Sequence, residues 1–204
     1  MDILIKDLGK RYNREWVFKS LDFEFKSGSR VAIVGHNGSG KSTLLKIICN
    51  YLTPSEGTIE YKENGSRLEK DSVQLRFGLV APYVNIIGEF TVSEMLDFHK
   101  KFKRTDFTNE EILESAKLQD ASNKAVQDLS SGMLQRLKLS LIFFFDNDVI
   151  FLDEPTTNLD SQSIEWYSAQ IDRLKKTQTI IVASNQEKEY HFCDQWINIE
   201  EFKS

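Results

Sequence analysis

Short apolar runs punctuate the chain at Ile3–Ile5, Leu21–Phe25, Val31–Val34, Val149–Leu152 and Thr179–Ala183. Their length and their β-branched and aromatic residues predict strands of the buried type. Between them, Ser42–Tyr51, Val92–Phe102, Glu110–Lys117, Gly132–Phe145 and Ser161–Lys175 have helical character. Buried strands alternating with helices predict an α/β fold with a largely parallel sheet. The stretch from about Tyr83 to Asp128 breaks the alternation: it lacks a strong strand signal and is rich in charged, helix-forming residues. It reads as a mostly helical insert in the α/β core, or as helices that cover one face of the sheet.

Length and composition narrow this picture. A chain of 204 residues with 40% hydrophobic content fits one sizeable domain over 1–204, with room for an inserted subdomain. The net charge of −5 argues against nonspecific binding of nucleic acid, and none is expected as a partner. Cys49 and Cys193 lie far apart without metal-ligand spacing, and their apolar and aromatic flanks predict buried thiols in a reducing compartment. No run approaches the ~18 apolar residues that span a bilayer; Leu139–Phe145 is interrupted at Asp146, and the start of the chain lacks the features of a signal peptide. The expectation is a cytoplasmic protein whose membrane role, if any, comes through a partner.

Val31-Ala32-Ile33-Val34-Gly35-His36-Asn37-Gly38-Ser39-Gly40-Lys41-Ser42-Thr43 matches G-x-x-x-x-G-K-[ST], with an apolar strand before it and an amphipathic helix after it. In such a loop the glycines let successive N–H groups turn toward phosphate oxygens. The helix start adds its free N–H groups. Gly35, Asn37, Gly38, Ser39, Gly40, Lys41, Ser42 and Thr43 are therefore expected at ATP. Lys41 places a charge on the β- and γ-phosphates, and the Ser42 hydroxyl can ligate Mg²⁺. His36 occupies a variable place and reads as a loop side chain.

Val149-Ile150-Phe151-Leu152-Asp153-Glu154 is an apolar strand that ends in two acids. Strand ends of a parallel sheet are where ligands bind in open α/β folds. Alone the pattern is weak; beside a phosphate loop it assigns Asp153 to Mg²⁺ and Glu154 to activation of the attacking water. The segments Asn37-Gly38-Ser39 and Asn64-Gly65-Ser66 also read as glycosylation sequons and are discounted, the first because it lies inside the phosphate loop.

Leu129-Ser130-Ser131-Gly132-Met133 resembles the L-S-G-G-Q signature of ABC transporter ATP-binding subunits, and Glu154-Pro155-Thr156-Thr157-Asn158-Leu159-Asp160 resembles their D-loop. The order and spacing of these elements carry the resemblance over nearly the whole chain. It implies an ABC-type ATPase: a P-loop core, an N-terminal antiparallel β region, and a helical subdomain from about 83 to 128 with the signature helix from about 132. It also implies that Tyr12, at the aromatic A-loop position, stacks on adenine, with Trp16 as a second candidate. Ser130, Ser131, Gly132 and Asp160 would contact ATP held by another subunit of a two-fold homodimer or heterodimer. ATP binding and hydrolysis would then drive an integral membrane transporter subunit on a separate chain, with this protein peripheral at the inner face of the membrane.

Two positions depart from the family pattern. Ser184-Asn185 follows the strand where Ser/Thr-His is usual, so Asn185 stands at the switch-histidine position and cannot become a cation. Pro82 stands where the Q-loop glutamine is usual, with Asn85 nearby. With Lys41, Ser42, Asp153 and Glu154 in place, the expectation is intact ATP binding with slow hydrolysis. The apolar cluster Tyr83, Val84, Ile86, Ile87 and Phe90 reads either as a groove for the membrane subunit or as packing within the insert. Three other functions remain in view: a non-hydrolysing, ATP-gated binding module, a soluble ABC-type ATPase outside transport, and a small-molecule kinase. The signature and D-loop segments have no role in such a kinase.

Overall fold

A computed structural model describes residues 1–203. The chain divides into two compact units: one comprises residues 1–79, 148–154 and the segment from 175 onward, the other 80–147 and 155–174.

The first unit opens with a long hairpin, β1 (Asp2–Tyr12) and β2 (Glu15–Phe25). The hairpin extends well beyond its apolar runs, and register shifts along the pair mark bulges where polar residues interrupt the alternation. β4 (Glu56–Glu63) and β5 (Ser66–Leu68) complete a four-stranded antiparallel sheet in the order β2-β1-β4-β5. A second sheet is built from β3 (Arg30–Val34), β6 (Phe77–Val80), β7 (Val149–Asp153), β8 (Thr179–Ala183) and β9 (Gln195–Asn198), in the order β6-β7-β8-β3-β9. β7–β8, β8–β3 and β3–β9 pair in parallel. β7 and β8 are buried at every position, as expected of strands covered on both faces.

Helix α1 (Lys41–Ile48) and the short α2 (Lys70–Val73) belong to this unit. α1 is shorter than its apolar pattern predicts because Asn50 turns left-handed at φ 59°, and the N–H groups of Tyr51 and Leu52 fold back onto the Lys46 carbonyl. One core joins Ile3, Ile5, Phe25, Val31, Ile33, Leu44, Leu45, Phe151 and Ile181, so the antiparallel sheet, α1 and the parallel sheet share their apolar contacts.

The second unit is helical: α3 (Val92–Lys100), α4 (Asn109–Ala116), α5 (Ser131–Phe143) and α6 (Ser161–Arg173). α3 and α4 begin with capping boxes, Thr91 with Glu94 and Thr108 with Glu111, each satisfying two N–H groups of the chain at the helix start. Their apolar faces meet α5 in a core of Val92, Leu96, Ile112, Ala116, Leu137 and Leu141. Ile86, Ile87 and Phe90 pack against this core, so three members of the apolar cluster after Pro82 are engaged within the unit. Lys138 Nζ donates to the Val84 carbonyl at 2.6 Å and pins the same segment to α5; burial lowers its pKa. Among the described residues no helix is long and apolar enough to cross a membrane.

Candidate nucleotide site

Strand register explains how distant residues meet. Ala183 pairs with both Ile33 and Asp153, so β3, β8 and β7 end at one level of the sheet. The phosphate loop leaves β3 there, Glu154 follows β7, and Asn185 lies two residues past the end of β8. β8 stands between the other two strands and ends in the small residues Ala183 and Ser184. Side chains from α1 and β7 can therefore meet across its end. Ser42 Oγ donates to Asp153 Oδ1 at 3.0 Å.

The loop from Gly35 to Gly40 delivers α1 with its first N–H groups open. Gly40 is the N-cap at φ 110°, no side chain caps the helix, and no acid stands in its first turn. A Cβ at residue 40 would lie 2.5 Å from Val17 Cγ1, so both backbone angle and space require glycine. Lys41 is 5% exposed, and its Nζ donates to the carbonyls of Gly35 and His36, both at 3.0 Å. The loop thus holds its ammonium group in place through neutral acceptors that a phosphate can replace. Ser39 is fully buried and its hydroxyl has no hydrogen-bond partner among the described residues, a costly arrangement unless a ligand supplies one.

Glu154 adopts φ 47°, which is strained for a residue with a Cβ, and its N–H is tied to the Ala183 carbonyl at 3.0 Å. Asn185 Nδ2 donates to Asn37 Oδ1 at 2.9 Å, so the residue at the switch position touches the phosphate loop directly. Tyr12 is 51% exposed at the end of β1, with Lys10 Nζ 5.2 Å from its ring centroid. Trp16 is half-buried, with the Arg11 guanidinium over its ring and Gly9 beneath it. Cys49 and Cys193 are buried free thiols, and burial pushes their pKa values up to about 11 and about 12.

In the helical unit, Ser130 caps α5 by accepting the Met133 N–H at 3.3 Å, and Ser130 and Ser131 are exposed. A Cβ at Gly132 would lie 3.1 Å from the Asn158 carbonyl, so glycine lets the signature helix approach the D-loop backbone. Gln135 Nε2 donates to the Pro155 carbonyl at 2.7 Å, and Arg136 Nη1 donates to Ser163 Oγ at 3.0 Å, fixing the same juxtaposition. Asp160 caps α6 by accepting the Ser163 N–H at 2.8 Å. Hydrogen bonds from Ser163 hold its carboxyl below the usual range. Pro82 and Asn85 are exposed in the segment before α3.

The ABC transporter family profile matches residues 18–157, more than half of the chain. The chain belongs to the ABC transporter family. Nod factor export ATP-binding protein I of Burkholderia orbicola is 32% identical over 96% of this ABC chain and 67% of that protein. Sulfate/thiosulfate import ATP-binding protein CysA of Mesostigma viride is 30% identical over 96% of this chain and 58% of that protein. The chain thus spans between 58% and 67% of the lengths of these two relatives. Among solved structures, the dimeric post-hydrolysis state of an ATP-binding cassette bound to ADP and Pi matches with TM-score 0.82 at 24% identity, over 97% of this chain and 95% of that one. A putative ABC transporter ATP-binding protein from Pyrococcus furiosus matches with TM-score 0.80 at 24% identity, over 100% of both chains. The two-sheet architecture with a helical unit is the ABC cassette fold of these neighbours.

The donors of this ABC chain fit Mg²⁺ only in company. Among the described residues no group of three His, Cys, Asp or Glu side chains could hold a metal. The paired Ser42 hydroxyl and Asp153 carboxylate instead offer the one or two protein oxygens that Mg²⁺ takes when phosphate and water complete its shell. Sequence reading missed Glu200, which contacts the loop at His36; a contact spanning 164 residues leaves no local signal.

Proposed function

We propose that this chain binds and hydrolyses ATP to energise an integral membrane transporter subunit on a separate polypeptide. The Ser42–Asp153 hydrogen bond carries the reading, because it joins the phosphate loop to the acidic strand end. The loop N–H groups and the open start of α1 receive the β- and γ-phosphates. Lys41 exchanges its two carbonyl acceptors for phosphate oxygens, and the buried Ser39 hydroxyl gains a partner. Tyr12 offers an exposed ring to adenine. Bound Mg²⁺ would sit on Ser42 and Asp153 and neutralise charge on the phosphates. Glu154, turned by its left-handed backbone, takes the proton of the attacking water.

The donor position at the γ-phosphate is filled by Asn185, whose amide donates a hydrogen bond but carries no charge. Binding is then retained while transition-state stabilisation is reduced, so turnover is slow. Extreme reduction would make the chain an ATP-gated binding module; the neutral Asn185 and the Pro82 departure favour that second reading. Ser130, Ser131, Gly132 and Asp160 would complete the ATP site of a partner subunit in a homodimer or heterodimer, as the dimeric cassette neighbour supports. Residues 1–204 act as one ATPase domain, and its helical part, about 83–128 with the signature helix, docks the membrane subunit at the cytoplasmic face.

Glu154→Gln tests the assignment. Turnover should fall by about 10²–10⁴-fold, the usual range for loss of a general base. ATP should still bind, and an ATP-held dimer should accumulate in size-exclusion chromatography with light scattering. Unchanged turnover, or a monomer at saturating ATP, would contradict it.

A further inference from the structure

The turn that follows β9, Ile199–Phe202, lies directly beneath the phosphate loop. Ile199 is fully buried, and a Cβ at Gly35 would lie 2.9 Å from its Cγ2. Its neighbour Glu200 aims one carboxylate oxygen at the loop: Oε1 accepts the His36 N–H at 2.7 Å and contacts His36 Nδ1 at 2.6 Å. The same oxygen would lie 3.2 Å from a Cβ at Gly35. Asn198 Oδ1 accepts the Glu200 N–H at 3.2 Å and orients the turn. On the far side of the imidazole, Lys203 Nζ stands 3.4 Å from His36 Nε2. Lys41 bonds the His36 carbonyl, so one residue of the loop is held by the catalytic lysine on one side and by Glu200 on the other.

We propose that Glu200 is a positioning residue for the phosphate loop: its Oε1 fixes the loop's first turn through His36, so that the Gly35 and His36 carbonyls present Lys41 to the triphosphate. Glu200 does not touch the nucleotide. It acts through two acceptor contacts made by one oxygen, which a glutamine carbonyl can reproduce and an alanine cannot. The inference rests on the nucleotide reading of the site and assigns the loop a support from the end of β9, outside the residues of the motif itself.

Calorimetric titration with MgATP, together with hydrogen exchange of the loop in the absence of nucleotide, tests it. Glu200→Ala should raise the dissociation constant roughly tenfold, the scale of one hydrogen bond to a charged group. It should also speed exchange of the 35–40 amides, raise KM and leave kcat within about twofold of the wild type, because a ground-state positioning defect acts on binding. Glu200→Gln should restore most of the affinity. An affinity within twofold of the wild type for the alanine variant would overturn the proposal, as would equal losses in the alanine and glutamine variants. Should Glu200→Ala fail to fold, His36→Ala carries the test, with an expected rise of about threefold from loss of the side-chain contact while the backbone bond remains; no change there overturns it. A wild-type chain that takes up no MgATP defeats the nucleotide reading instead. The exchange arm still decides the role of Glu200 in that case, faster loop exchange in the alanine variant supporting it and unchanged exchange overturning it.

Discussion

Helix α1 starts on a glycine, with no side-chain cap and no acid in its first turn, and with a buried lysine folded onto the preceding loop. Helix α5 starts on Ser130, whose own hydroxyl accepts an N–H of the first turn while Ser130 and Ser131 face outward. Helix starts carry N–H groups that something must satisfy. α5 satisfies one from within, since the Ser130 oxygen accepts the Met133 N–H, and the exposed Ser130 hydroxyl keeps its own hydrogen to donate outward. α1 satisfies none of its own from a side chain: the loop glycines keep its first turn open, and the Ser39 hydroxyl is buried without a partner among the described residues, as the proposed anion site needs. One is a site assembled inside a single unit. The other is an exposed helix start, the arrangement that the proposed ATP-sandwiched pair would use.

Changes at the two helix starts should therefore differ in kind. At the first, Asn185→His introduces a side chain that can carry charge beside Asn37, and steady-state turnover should rise roughly tenfold or more. A colorimetric phosphate assay reads it, and an unchanged rate would place the limit in another step.

The helical unit should show its own acid sensitivity. Burial, aided by Lys103, lowers the pKa of His99 to about 4, against about 6.5 in an unfolded chain. A depressed histidine favours the folded state above the unfolded pKa, and that contribution is lost as pH falls from about 6.5 through about 4. By pH 5 the loss should reach about 1–2 kcal/mol. His99 packs edge-on against Phe145 with centroids 4.5 Å apart, so His99→Phe keeps an aromatic ring there. Thermal unfolding of that variant should depend less on pH between 7 and 5; an identical pH dependence would sink the assignment.

The smallest effect belongs to the second helix start. Gly132→Ala puts a methyl group 3.1 Å from the Asn158 carbonyl, so the contact must give by a few tenths of an ångström. Alanine's better helix propensity, worth up to about 1 kcal/mol, offsets the strain. The melting temperature should move by no more than about 4 °C. Turnover should fall about threefold, since small displacements of a binding surface act on rate before stability. A larger drop in stability than in turnover would mean the contact serves folding alone.

The sequence made β3, β7 and β8 legible because each is an uninterrupted apolar run buried on both faces. The phosphate loop was legible because its chemistry demands fixed spacing. β4 was not: Glu56–Glu63 buries only Ile59 and Tyr61, and its polar residues hide a strand at the edge of the apolar pattern. β9 buries only Ile197 and leaves Trp196 exposed, so tertiary pairing with β3, rather than local composition, makes it a strand. Asn185 and Asp153 were located by motif order, but their meeting with the loop came from register, which no local pattern encodes. The caps at Ser130 and Asp160 show the same limit: a residue chosen for a ligand also holds its own helix, and sequence alone does not separate the two tasks.

The most direct test is calorimetric titration of MgATP into the wild-type chain and into Lys41→Ala. The wild type should give a saturable binding isotherm, and the variant should bind at least about tenfold more weakly, because Lys41 supplies a charged donor to the phosphates. No binding heat from the wild type, or equal affinity in the two proteins, would contradict a triphosphate seated on this loop.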